Sequence, residues 1–162
     1  MSRSVQDVLN RQIANWSVLY IKLHHCHWYV NGSQFFTLHA KFEELYNEAA
    51  GYVDELAERL LAIGGKPVST MSACLQATSL KEAAGNESAE AMVQAVVADF
   101  QQVVSELEEG MTLAENEHDE STADMFLGIS TSLQKHVWML QAFLGQPVTL
   151  PPQKTPVGAG AR

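Results

Sequence analysis

The chain has 162 residues, 46% of them hydrophobic and 18% charged, which suits one folded domain (1–162) with a sizeable core. Nineteen Asp plus Glu against ten Lys plus Arg leave a net charge of −9. That balance excludes the basic surface that neutralises nucleic-acid phosphates, and it favours cations instead.

In chain order, the opening MSRSVQDVLN lacks the apolar core of a signal peptide, and no apolar run approaches a membrane span, so a cytoplasmic chain without membrane contact is expected. Val5, Val8, Leu9, Ile13, Trp16, Leu19, Tyr20, Leu23, Cys26 or His27, and Val30 recur at steps of three and four. They predict one apolar face of a helix over 4–31. Asn31, Gly32 and Ser33 end it, and Ser33 can cap the next helix. The second helix is predicted over 35–63, with Leu38, Phe42, Leu45, Tyr46, Ala49, Val53, Leu56, Leu60 and Ile63 as its stripe. Gly64-Gly65-Lys66-Pro67 stops it. Residues 68–86 form a connection long enough to cross from one end of a bundle to the other, with room for a short helix within TMSACLQATSL. A third helix follows over 88–115. Ser121 or Asp119 can cap a fourth over 122–144, which ends at Gly145 with Pro147 beyond. The Pro- and Gly-rich residues 146–162 read as a flexible tail. The two cysteines, Cys26 and Cys74, lack paired spacing and read as free thiols. With no β pattern and no internal repeat, the expected fold is an all-α four-helix bundle with one long crossover.

Residues 24–59 hold four of the six histidines and a series of carboxylates at helical spacing. With His39 at zero, a turn of 100° per residue puts Glu43 near 40°, Asp54 near 60° and Glu58 near 100°, all on one arc beside the apolar stripe. Asp54 and Glu58 are i and i+4, so both carboxylates can meet one cation, and His39 and Glu43 pair in the same way. Along the axis, however, His39 and Asp54 are separated by about 22 Å, a gap that no ligand sphere spans. One chain therefore carries two half-sites. If all four are ligands of one site, a two-fold dimer completes it, His27 joining His39 and the partner supplying the carboxylates. Imidazole with carboxylate and no thiolate suits iron, manganese or zinc. By spacing alone, a merely solvated acidic helix face explains the carboxylates equally well.

The runs KLHHCHWYVNGSQFFTLH (22–39), DELAER (54–59), IGGKP (63–67), DESTADM (119–125) and KHVWM (135–139) together closely resemble the Dps family, the DNA-protecting, ferritin-like mini-cages of bacteria, in the acidic, short-tailed form of Gram-positive species. The resemblance implies a ferritin-like four-helix bundle with a short helix, at about 71–80, in the crossover between the second and third long helices. It implies a hollow homododecamer whose two-fold dimers form the ferroxidase centres. Two Fe(II) ions per centre would be held by His27 and His39 of one subunit and Asp54 and Glu58 of the other. Glu43 matches a further acidic position there, and Trp28 matches the tryptophan beside the iron. Hydrogen peroxide is the implied oxidant, and Fe(III) mineral the stored product.

From Glu82 to Asp124 the chain has twelve acidic residues and no Lys or Arg. Helix capping is a sufficient account of those near 119, whereas the resemblance makes Asp119, Glu120 and Asp124 pore residues that draw in Fe(II). Glu115 and His118 spell an ExxH, but di-iron bundle sites need two such motifs, and this one stands at a helix end. His136 reads as structural. Direct DNA binding is not expected: only Arg3 precedes the first helix, the tail offers Lys154 and Arg162, and protection would come from removing iron and peroxide.

Overall fold

The computed structural model describes residues 4–148. Five helices follow one another: α1 (Val5–Tyr29), α2 (Phe35–Ala62), a short α3 (Met71–Ala77), α4 (Ala89–Asn116) and α5 (Glu120–Phe143). Residues 149–162, where most of the predicted flexible tail falls, lie outside the described residues, as does Arg3. No described helix is long and apolar enough to cross a membrane.

Start and stop signals account for the boundaries. Ser4 and Asp7 form a reciprocal capping box at the start of α1. Thr70, Ser88 and Asp119 cap α3, α4 and α5 through their side chains. At α2 the cap position falls to Gln34, which makes no side-chain bond, rather than to Ser33. The end of α2 is a Schellman turn: Gly65 N–H donates to the Leu60 carbonyl, Gly64 N–H to that of Leu61, and Gly64 takes φ +82°. α4 ends in the same hydrogen-bond pattern, Asp119 to Ala114 and His118 to Glu115, with His118 forced to φ 58°.

The long helices pack antiparallel in order. α1 and α2 make a hairpin whose closed end joins His27 to His39. α4 runs against α1, with Val5 near Glu117, Gln12 and Asn15 on Glu106, and Lys22 on Asp99. α5 runs against α2, linking Arg59 to Asp119 and Glu48 to His136. The crossover must therefore travel the length of the bundle, and α1 staples it in sequence. Asn10 holds Lys66 and Val68, Asn15 holds Thr78 and Ser79, Lys22 holds the Lys81 carbonyl, and His25 meets Glu87.

One core runs the full length, from Val5 and Leu9 through Trp16, Phe42, Phe100 and Phe126 to Leu140. The predicted stripes are its members, except that Tyr20 is 36% exposed and Tyr46, Val53 and Ile63 are half-buried. Gly110 permits a close approach of α4 to α1 and α5: a Cβ there would stand 2.8 Å from both Phe126 and Val8. Both cysteines are buried and free, and burial foremost, then the Glu87 charge, pushes the Cys26 thiol up to about 12.

Two substitutions test this reading. Asn15→Ala strips partners from Thr78, Ser79 and Glu106, and is expected to cost about 1–3 kcal/mol with faster hydrogen exchange at the Ser79 amide. His118→Gly relieves a left-handed residue that has a Cβ, and should raise stability by about 1 kcal/mol in chemical denaturation.

Candidate metal centre

His27 sits in the last turn of α1, and His39 in the first turns of α2. The five-residue connection, 30–34, folds the helices back so that the two rings stack, centroids 3.7 Å apart and planes at 16°. Each Nδ1 lies within hydrogen-bond distance of the other residue's backbone carbonyl: 2.7 Å from His27 to His39 and 2.8 Å in return. A carbonyl only accepts, so both Nδ1 atoms carry the proton and both Nε2 atoms keep their lone pair. That is the tautomer a metal ligand requires, set by a second hydrogen bond to each ring.

Aromatic rings enclose this pair. Phe35 stacks on His39 at 4.9 Å, and Tyr46 meets His27 edge-on at 5.2 Å. His24 donates from Nδ1 to the Tyr20 carbonyl and stacks on Tyr46 at 3.7 Å. Glu43 is exposed on the next turn of α2; burial, followed by the Glu43 charge, raises the Tyr46 phenol. Around the histidines the surface is apolar and open: Trp28 and Tyr29 are each 66% exposed and Phe36 86%.

Asp54 and Glu58 are exposed carboxylates one turn apart near the far end of α2. Because α2 is continuous between them and His39, the separation of about 22 Å stands. Among the described residues, no three His, Cys, Asp or Glu side chains converge to hold a metal ion. The structure thus brings His27 and His39 together, with Glu43 nearby, and keeps Asp54 and Glu58 apart from them.

The three acids around the start of α5 differ. Asp119 caps the helix, accepts from the Thr122 hydroxyl at 2.6 Å and pairs with Arg59 at 2.6 Å. Burial opposes its ionisation, but the bonds from Thr122 and Arg59 prevail and lower it. Its charge is committed within the subunit, whereas Glu120 and Asp124 are exposed. His118 stands beyond the end of α4, away from any second ExxH.

A polar cluster that sequence periodicity gave no sign of lies between α2 and α5. Lys41 Nζ donates to His136 Nδ1, which places the ring proton on Nε2, and Nε2 donates to Glu48 at 2.6 Å. Ser132 and Tyr52 donate to the same carboxylate. Burial works against the Glu48 charge, but the bonds from His136, Ser132 and Tyr52 outweigh it and lower the group from 4.5 to about 2. The carboxylate's stabilising effect is therefore complete above about pH 4.5 and lost as pH falls toward 2. Acid titration of Glu48→Gln, followed by circular dichroism, should show a shallower loss of stability through that window than in the parent.

Residues 6–147 match the ferritin-like domain. The chain is 58% identical over 146 residues to the DNA protection during starvation protein 2 of Bacillus anthracis, covering 90% of this chain and 100% of that protein. It is 57% identical over 145 residues to the General stress protein 20U of Bacillus subtilis (strain 168), again covering 90% of this chain and 100% of the relative. The crystal structure of a Dps protein from Bacillus brevis superposes with a TM-score of 0.85 at 56% identity, over 89% of this chain and 99% of that one. Fold and match together define a ferritin-like protein. Within that class, the chain belongs to the Dps family, named for DNA protection during starvation.

Proposed function

We propose that the protein oxidises Fe(II), with hydrogen peroxide as the preferred oxidant, at centres shared between two subunits, and stores Fe(III) inside a hollow homododecamer in the cytoplasm. The observation that carries this reading is the split donor set along α2 and its hairpin with α1. Two imidazoles with free Nε2 lone pairs stand at one end, and two exposed carboxylates stand one turn apart at the other. Packing two copies about a two-fold axis pairs each histidine half with the partner's carboxylate half, making two equivalent centres. The apolar surface around the histidines, Trp28, Tyr29 and Phe36, supports a partner there, since exposed aromatic patches are uncommon without one.

His27, His39, Asp54 and Glu58 are the proposed ligands, with Glu43 as a further carboxylate. Nitrogen and carboxylate donors suit Fe(II) and Fe(III) alike. Two iron ions in one centre deliver two electrons to one peroxide: 2 Fe(II) + H2O2 + 2 H⁺ gives 2 Fe(III) + 2 H2O. A single iron would deliver only one and release a hydroxyl radical, so pairing the ions is what protects DNA. Glu120 and Asp124 are the proposed entry acids, their exposed charges drawing cations toward a pore. Twelve copies at −9 sum to −108, which argues for protection without a direct grip on DNA.

The Asp54→Ala, Glu58→Ala double variant should fold, because both side chains are exposed, yet lose most of its peroxide-dependent Fe(II) oxidation. Stopped-flow absorbance of Fe(III) formation checks this, and a wild-type rate would refute the ligand assignment.

A further inference from the structure

Aromatic side chains recur every fourth residue along one side of α1: Trp16, Tyr20, His24 and Trp28. This spacing makes each the neighbour of the next across one turn. Trp28 is 66% exposed beside the histidine pair. Its ring lies 5.1 Å from His24, and His24 lies 4.5 Å from Tyr20. Trp16, one turn earlier, is 1% exposed and meets Tyr52 of α2 at 4.7 Å. The Tyr52 hydroxyl donates to Glu48, whose carboxylate is also held by Ser132 and His136. The series thus begins at the surface beside the proposed iron centre and ends inside the bundle at a phenol joined to a proton acceptor.

We propose that this series is a hole-transfer ladder, and that Tyr52 with Glu48 is its terminus, where a one-electron oxidant of the hydroxyl-radical class is disarmed as a half-buried, hydrogen-bonded tyrosyl radical. The idea rests on the iron-oxidising reading only for the source of that oxidant, which is a centre holding a single Fe(II) when peroxide arrives. Trp28, the end beside the proposed iron centre, gives one electron to the radical, which becomes hydroxide. The vacancy passes through Tyr20 to Trp16, with His24 filling the gap between Trp28 and Tyr20. Trp16 cannot keep it, because its indole N–H is buried without a hydrogen-bond partner and has nowhere to send its proton. Tyr52 has such a place. It gives its electron to Trp16 and its proton to Glu48 Oε1, and becomes a neutral radical. Once Glu48 passes its proton to the hydroxide, the sum is a phenol plus a hydroxyl radical giving a phenoxyl radical plus water. The ring is half-buried against Trp16 and its oxygen is held at Glu48, which slows reaction of the radical with other molecules.

The test uses metal-free protein, so its failure and that of the iron chemistry are distinguishable. Azide radicals generated by pulse radiolysis oxidise the surface, and samples frozen at increasing delays are read by electron paramagnetic resonance. Wild type should yield a tyrosyl signal that persists after those of exposed residues have decayed. Tyr52→Phe should abolish that persistent signal. Tyr20→Leu, which breaks the ladder at the half-exposed ring, and Glu48→Gln, which removes the proton acceptor, should each reduce its yield. A persistent signal of wild-type size in Tyr52→Phe overturns the proposal, as does an unchanged yield in either other variant. If Tyr52→Phe does not fold, the other two decide.

Discussion

One geometric constraint governs the molecule: α2 is a single unbroken helix, and it carries histidine and carboxylate donors at opposite ends. A helix rises about 1.5 Å per residue regardless of sequence, so no packing of one chain brings His39 and Asp54 to the same ion. The hairpin with α1 completes only the nitrogen half, by stacking His27 on His39 and locking both tautomers with main-chain carbonyls. Metal chemistry that uses all four donors, as proposed, therefore depends on association. The subunit has one continuous core of its own, and the proposed centre is the part it leaves incomplete.

The bundle holds α2 from both sides. α5 lies antiparallel to it and grips it at two levels, through Arg59 on Asp119 and Thr122 and through Glu48 on Ser132 and His136. α1 grips the crossover at four successive points, so the long connection adds rigidity rather than slack. These polar contacts are satisfied mainly by partners far apart in sequence. They fix the rotation of each helix, which apolar packing alone leaves softer.

Much of this was legible beforehand, for identifiable reasons. Helical periodicity marks a face, and most of the stripes read on α1 and α2 became core. The glycines at 64 and 145 marked ends, because a left-handed residue closes a Schellman turn with least strain where it lacks a Cβ. Local rules were weaker where a distant partner decides. Asp119 rather than Ser121 caps α5, because Arg59 reaches across from α2 to hold that carboxylate. The same contact engages a charge that reads, in sequence, as free to attract cations. The Glu48 and His136 cluster spans 88 residues of separation, and no spacing rule connects them. Nor does side-chain spacing reveal the histidine tautomers, since backbone carbonyls set them.

The central claim is that each centre is built from two subunits, and complementation tests it most directly. One variant carries His27→Ala and His39→Ala, and the other Asp54→Ala and Glu58→Ala. Each is assayed alone for peroxide-driven Fe(II) oxidation, and then both are assayed after dissociation and joint reassembly. The account predicts two inactive parents and a mixed assembly that recovers activity, because a mixed dimer restores one complete donor set while leaving the other empty. A mixture as inactive as its parents, or a full rate in either parent alone, would contradict it.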